Sequence, residues 1–573
     1  MTATMGITEQ WLTAAAVGLP LLCAAPLALP GRRKVPPQLV AWAALPAVMA
    51  VWLLPEGGTV LFQWMLLSTR LGLDATGRIF LFFTSSLWLL AGVYGCGYLS
   101  ADRRRARFFF FYGLAMSGNF GVILAQEMVG FYAFFALMSF ASYGLVVHAG
   151  EPEALRAGRI YLILVLVGEI ALFSGLAVLA AAAGSLELVD LRGKAIPGGV
   201  MVLIGVGFGI KAGALPLHVW LPLAHSAAPT PASAVLSGAM IKAGLLGWLR
   251  FMPIETAASP SVGAVFVAAG AAAAFYAVAV GSTQSHPKTV LAYSSISQMG
   301  LITIGVGTSF LSPAVAAAGV PAVVLYALHH GFAKGALFLG VGILQAVMPG
   351  TGAARLAWAG LILAALSLAG APLTGGAAAK GALKAAVALA PQAWSSALFI
   401  VLALASIATS VLMGRLVLLM ARRTPGALRP SAAMWISWLT MLAPAAFLFH
   451  VLPAAPSTAA IGEAAWPVAA GGALTAIGWA AGRRCGRKIW APVPSGDLLV
   501  VYAAIIRLAA RAAAAAGNRL AGGVPRVRVP EGLRRQSSAF TAAAESALGN
   551  WLVSGLLFLL WVVALFLQTL VAG

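Results

Sequence analysis

Five lysines stand where lysines are expensive. Lys211, Lys242, Lys334, Lys380 and Lys384 fall inside long apolar stretches, whereas the arginines gather mostly between such stretches. A cation at the centre of a bilayer costs about 2.5–3.5 kcal/mol on insertion scales. Lysine, unlike arginine, can be brought by burial to the point of releasing a proton. A set of such residues is therefore suited to moving protons at membrane depth. His330 and Lys334 are four apart, as are Lys380 and Lys384, so each pair shares a helix face. The two ammonium groups of the second pair repel, which favours one of them being neutral. Alternatively, Lys384 snorkels from near a helix end. Glu169 lies in the middle of YLILVLVGEIALFSGLAVL (161–179). A carboxylate there needs a cationic or hydrogen-bonding partner, or else a proton. It is the candidate coupling acid, with a neutral carboxyl packed against a neighbouring helix as the plainer reading. Glu127 opens another apolar run and is a candidate proton-entry or secondary site. His218 and His225 flank PLHVWLPLAHSAAPTP and suit proton access, or for His225 the capping of the next helix. Asp74 reads as a helix cap or loop residue.

The elements carrying these residues are unusual in the same way. Lys211 sits in GVGFGIKAGALPLHVWLP, with Gly205, Gly207, Gly209 and Gly213 around it and Pro216 and Pro222 after it. Lys380 follows Pro372 and the pair Gly375-Gly376. Such breakers predict interrupted helices, and irregular backbone at membrane depth is tolerated only inside protein or beside water. Two interrupted segments in matching places point to an internal repeat with sites near the midplane.

The rest of the chain supplies the bilayer. Of 573 residues, 61% are hydrophobic and 9% charged, more apolar surface than a soluble fold can hide. Runs of about 20 apolar residues recur throughout. They predict an all-α polytopic membrane protein with about 14–16 transmembrane helices. The spans drawn are 8–29, 37–55, 78–100, 107–125, 127–148, 157–183, 198–221, 228–250, 262–284, 288–308, 314–346, 357–390, 393–421, 433–454, 464–482 and 549–571. With these spans, the clusters at Arg32–Lys34, Arg103–Arg105, Arg156/Arg159, His286/Lys288, Arg355, Arg422-Arg423 and Arg483–Lys488 all fall on one side. The positive-inside rule makes that side cytoplasmic and the N-terminus periplasmic. The basic cluster follows the first apolar run, so a retained span is expected rather than a cleaved signal. The net charge of +21 is thereby explained by loops rather than by nucleic acid. The arginine-rich stretch 517–537 lacks the aromatics that single strands stack on.

Residues 497–516 are expected as an amphipathic surface helix. The organisation expected is N-terminal spans at 1–106, a core at 107–423, further spans at 424–482, a surface helix and linker at 483–548, and a last span at 549–573. The cysteines Cys23, Cys96 and Cys485 are far apart, and no Walker or G-x-G-x-x-G loop is present. No metal, cofactor or catalytic redox centre is expected in this chain.

Four motifs give a resemblance. IKAGALPLHVWLPLAHSAAPTPASAVLSGAMIKAG at 210–244, HPKTVLAYSSISQMG at 286–300, HHGFAKGALFLGVG at 329–342 and LAGAPLTGGAAAKGAL at 368–383 closely resemble the antiporter-like membrane subunits of respiratory complex I. Multisubunit cation/proton antiporters and membrane-bound hydrogenases share this family. The wording, with VPSGDLL at 493–499, is most similar to the hydrogenase-4 component B branch. The resemblance covers residues from about 70 to 420. It implies two inverted five-helix repeats, about 107–250 and 262–423, each with a broken helix. It also implies a midplane proton path through Lys211, Lys242, His330, Lys334 and Lys380. The family pairs the first lysine with a glutamate on the fifth helix. This chain reads FYAFFALMSF at 131–140, with Ala136 in that place, and the family's acid after the later lysine is replaced by Gly381. Glu169, one span later, is the expected substitute for the first acid.

The function implied is a proton-translocating subunit of a complex I-like or hydrogenase-like redox assembly in a bacterial inner membrane. Its partners would be other membrane subunits, lipid and protons. The alternatives are a cation/proton antiporter subunit without redox coupling, or a non-pumping scaffold of a hydrogenase-like or inorganic-carbon-uptake complex.

Overall fold

The computed structural model describes residues 5–29, 36–63, 68–191, 194, 196–255, 258–422, 429–451, 458–485, 493–496, 498–502, 504–505, 507–508 and 511. They divide into one unit of 5–62 with 69–495 and another of 63–68 with 496–511. The first unit carries every element below. The surface helix expected at 497–516 and the last span at 549–571 lie largely or wholly outside the described residues.

In chain order the helices are α1 (Ile7–Ala24), α2 (Gln38–Trp42), α3 (Leu45–Leu53), α4 (Ala75–Tyr98), α5 (Arg105–Leu124), α6 (Met128–Val146), α7 (Pro152–Ala183), α8 (Gly198–Ala212), α9 (Trp220–Ala227), α10 (Thr230–Val235), α11 (Ile241–Phe251), α12 (Pro260–Thr283), α13 (Pro287–Ser309), α14 (Pro313–Ala346), α15 (Gly352–Ala369), α16 (Gly375–Ala388), α17 (Gln392–Ala421), α18 (Ala432–Val451) and α19 (Thr458–Cys485). Among the described residues, 12 helical stretches are long and apolar enough to cross a membrane, and three shorter apolar ones occur at Gln38–Leu53, Gly198–Ala212 and Ala432–Phe447. Gly198–Ala212 is the first half of an expected interrupted helix, and Gln38–Leu53 is divided between α2 and α3. One element was not foreseen: a hairpin of β1 (Thr59–Phe62) and β2 (Thr69–Gly72), antiparallel with Leu61 opposite Arg70.

Both interrupted helices are present. The segment at 198–227 is α8, a turn and α9, and the segment at 352–388 is α15, a turn and α16. Each first half ends on a glycine with positive φ, Gly213 at 71° and Gly370 at 90°, a conformation that side chains with a Cβ resist. A third irregularity joins α10 to α11, where Leu236–Met240 form a π-helical turn. Such turns widen the helix and release a backbone carbonyl.

Small residues set the packing distances at this depth. At Gly238, in the π turn, a Cβ would come within 3.0 Å of the Gly331 carbonyl of α14, and the reverse holds for Gly331. The two backbones therefore run in direct contact. Outside the core, Asp74 caps α4 by accepting a 2.5 Å hydrogen bond from the Gly77 N–H. Arg250 pairs with Asp74 at 3.3 Å and donates to the carbonyls of Val122, Ile123 and Ala125. A cation is thus held where the end of α5 presents unpaired carbonyls, its favoured position on the helix dipole.

Candidate functional site

Lys211 occupies the last turn of α8, 3% exposed, just before the break. Its Nζ donates to the Tyr161 hydroxyl at 3.3 Å, and that hydroxyl donates to the Ser139 carbonyl of α6 at 2.8 Å. Trp220, at the start of α9, closes the end of α8 by donating to the Ile210 carbonyl at 2.7 Å. Glu169 stands two turns after Tyr161 on α7, 5% exposed, within electrostatic reach of Lys211. Lys211 and Glu169 form no ion pair within 4.0 Å, and Tyr161 is the side chain that bonds the lysine. The site expected to hold the family's glutamate is Ala136, buried on α6 one turn before Ser139.

Lys242 begins α11 directly after the π turn and is fully buried. Its Nζ donates at 2.5 Å to the Ser237 carbonyl, five residues back, so the wide turn supplies the acceptor for the ammonium. The Gly238–Gly331 contact presses this turn against α14. His330 and Lys334 of α14 are also fully buried and lie within electrostatic reach of Lys242. Lys334 Nζ donates to the Leu291 carbonyl at 2.8 Å and to Ser294 Oγ, both on α13. His225 joins this cluster from α9, stacked on Phe338 with ring centroids 4.8 Å apart. Neither ring nitrogen of His225 or His330 has a hydrogen-bond partner among the described residues. Unsatisfied buried polar groups cost about 1–3 kcal/mol each, a cost that functional sites tolerate.

Lys380 lies in the second half of the other interrupted helix. Its Nζ reaches back across the break to the Ala369 carbonyl at 2.5 Å and to Ser406 Oγ at 3.2 Å. Gly370 makes this possible, since a Cβ there would sit 2.8 Å from the lysine Cδ. Both break lysines thus lie at the carbonyl end of a half-helix, where a cation is favoured. Lys384, one turn on, pairs with Glu463 of α19 at 3.5 Å.

The structure brings Lys242, His330, Lys334 and His225 together, and it brings Lys380 beside Lys384. Between Lys211 and the Lys242 cluster, α11 crosses α8 closely at Gly244, where a Cβ would meet the Phe208 carbonyl at 2.5 Å. His218 lies within the α8–α9 break, its Nδ1 3.2 Å from the Pro216 carbonyl and its ring against Tyr276. Glu127 caps α6, accepting from the N–H groups of Val129 and Gly130 at 2.6 Å each. Burial pushes its carboxyl up to about 7, while those two bonds pull the other way.

Sequence reasoning missed two residues. His329 feels the charges of both Lys242 and Lys380 and lies beside the Ser367 carbonyl at the second break, between the central cluster and the later lysine. Only helix packing reveals that its face differs from that of His330. Lys288, read as a loop residue, starts α13 and donates to the Ala228 carbonyl at 2.6 Å, within electrostatic reach of His225.

Residues 125–413, half of the chain, match the family described as NADH:quinone oxidoreductase/Mrp antiporter, transmembrane. The chain belongs to that family. It is similar to hydrogenase-4 component B of Escherichia coli, 28% identical over 48% of this chain and 43% of that protein. It is also similar to Na(+)/H(+) antiporter subunit A1 of Staphylococcus aureus, 29% identical over 53% of this chain and 41% of that one. The chain spans less than half the length of either curated relative. The fold resembles a chain of the Mrp complex from Dietzia sp., with a TM-score of 0.62 and 23% identity over 75% of this chain and 82% of that one. The chain is thus an antiporter-like membrane subunit of the complex I, Mrp and hydrogenase family. The family match spans Lys211, Lys242, His330, Lys334, Lys380 and both interrupted helices.

Proposed function

We propose that this chain moves protons through Glu169, Lys211, Lys242, His330, Lys334 and Lys380 as one membrane subunit of a redox-driven assembly. His225 and His329 belong to the same path. The observation that carries the proposal is the set of buried lysines and histidines gathered at the π turn and at two helix breaks. Stability alone gives no reason to bury so many cations with carbonyl and hydroxyl partners in place of carboxylates. Charge passes stepwise along such a file because each protonated group disfavours protonation of its neighbour. The core at 107–423 is read as two inverted repeats. The assembly is assigned to a bacterial inner membrane, with the basic loops inside, the N-terminus outside and other membrane subunits alongside.

The test is proton uptake into inverted vesicles containing the whole complex, comparing the natural protein with Lys211→Ala and Glu169→Gln. Both variants should lose about 10²-fold in uptake, the scale of removing a proton-transfer group, while electron transfer by the redox partner stays detectable. Unchanged uptake in both sinks the proposal and leaves a scaffold. A second reading, cation/proton exchange without a redox partner, is favoured by the likeness to the Na(+)/H(+) antiporter subunit. It predicts sodium-dependent proton movement with no electron donor present.

A further inference from the structure

Glu463 is a charged residue the proposed path does not use. It lies near the start of α19, and its Oε2 is 3.5 Å from Lys384 Nζ. Between α16, α17 and α19 is a cleft with about 110 Å³ of room for water, lined among others by Gly370, Lys380, Lys384, Ser406, Glu463 and Pro467. The titratable groups lining it are Lys380, Lys384 and Glu463. Lys380 and Lys384 are one helical turn apart, about 6 Å along α16, and Glu463 meets the second of them. The three therefore form a file from the helix break to the mouth of the cleft.

The direction of that file follows from the chain. Arg355 begins α15, Arg422 ends α17, and Arg483 and Arg484 close α19. These ends mark the basic side of the membrane, so the start of α19, with Glu463, lies on the opposite side. Glu463 is the more open of the pair, its side chain 68% exposed against 26% for Lys384, and Lys384 is the partner it has.

We propose that Glu463 is the outer proton-exchange group of the later half-site, taking the place of the acid absent at Gly381. The proposal rests on the proton-path reading above. In the step, Lys384 Nζ gives a proton to Glu463 Oε2, leaving a neutral amine and a neutral carboxyl. The carboxyl then releases the proton to water on the outer side, and Lys384 is recharged from Lys380. A small rotamer change brings 3.5 Å within the range of direct transfer.

The experiment uses the whole complex in inverted vesicles, whose lumen is the outer side. It compares natural protein with Glu463→Gln, Glu463→Asp, the exchange Lys384→Glu with Glu463→Lys, and Lys211→Ala. Membrane levels of each chain are checked by immunoblot. Glu463→Gln should lower uptake about tenfold or more and flatten its dependence on lumenal pH, while Glu463→Asp keeps both. The exchanged pair should restore chain levels but not the natural pH profile. A natural rate and profile in Glu463→Gln overturns the proposal. So does full rescue by the exchanged pair, which would make the contact a staple for α19. Uptake that survives Lys211→Ala would instead refute the underlying path.

Discussion

The contact between Gly238 and Gly331 sets the spacing of the central cluster, and lengthening it is a direct test of that geometry. A Cβ added at Gly238 would lie 3.0 Å from the Gly331 carbonyl, and one added at Gly331 would lie 3.0 Å from the Gly238 carbonyl. Ordinary contact begins near 3.4 Å, so an alanine at either position must part the backbones by about 0.4 Å. The strain has no easy outlet: the Leu87 methyls stand 3.0 and 3.1 Å from the first Cβ, and Phe83 stands 3.1 Å from the second. Overpacking of this kind costs about 1–3 kcal/mol. On the transport side, a misplacement of 1 Å costs about 10²-fold. A shift of about 0.4 Å between Lys242 and the pair His330 and Lys334 then costs about sixfold. The assay is proton uptake in vesicles alongside thermal melting for Gly238→Ala, Gly331→Ala and the double variant. One parting of the backbones accommodates both methyl groups, so the double variant should lose less than the sum of the singles. Natural uptake in a destabilised Gly238→Ala would refute the claim that this contact positions the path. Strict additivity would refute the claim that the two glycines serve one contact.

Two further outcomes are expected. His329→Gln, close in volume, should reduce proton uptake about tenfold or more, as His330→Gln should; a natural rate in the first alone would remove His329 from the path. Glu127 is expected to act on stability through its cap on α6. Its folded-state value, raised by burial to about 7 from 4.5, gives stability that is fully present below 4.5 and lost as pH rises through about 7. The difference corresponds to about 3 kcal/mol, so melting of the natural protein should fall across this window. Glu127→Gln, which keeps an acceptor for the cap, should flatten the fall, and an unchanged slope would refute the assignment.

Much of this architecture was legible because the bilayer makes exceptions conspicuous. A lysine among leucines, or glycines and prolines within an apolar run, has few explanations at membrane depth, and Lys211 and Lys380 lie at the two breaks expected. What escaped depends on contacts between distant segments. His329 and His330 are adjacent and chemically identical, and only the packing of α14 against the π turn and against the second break separates their roles. The acceptor for Lys242 is a carbonyl freed by a wide helical turn, and no residue type announces such a turn. The hairpin at 59–72 is short and lies beside spans whose periodicity dominates the reading. Lys384 and Glu463 are far apart in the chain, and the partnership appears only once α19 is packed against α17.

The two missing acids form one pattern. At Ala136 the carboxylate expected on α6 is absent, and Glu169 stands on α7, the next helix, within electrostatic reach of Lys211. At Gly381 the carboxylate expected on α16 is absent, and Glu463 of α19 meets Lys384. A cation needs its counter-charge nearby in space, and nothing in the electrostatics requires the carboxylate to come from a particular helix. Moving it changes the coupling all the same. Glu169 stands beyond direct contact with Lys211, with the Tyr161 hydroxyl as the lysine's bonded neighbour, so the charge pair is looser than a closed bridge. Closing the first pair is therefore a sharp test. If Ala136→Glu were combined with Glu169→Gln and uptake returned at a different pH optimum, the position of the acid would be tuning the path. If uptake returned unchanged, only its presence would matter.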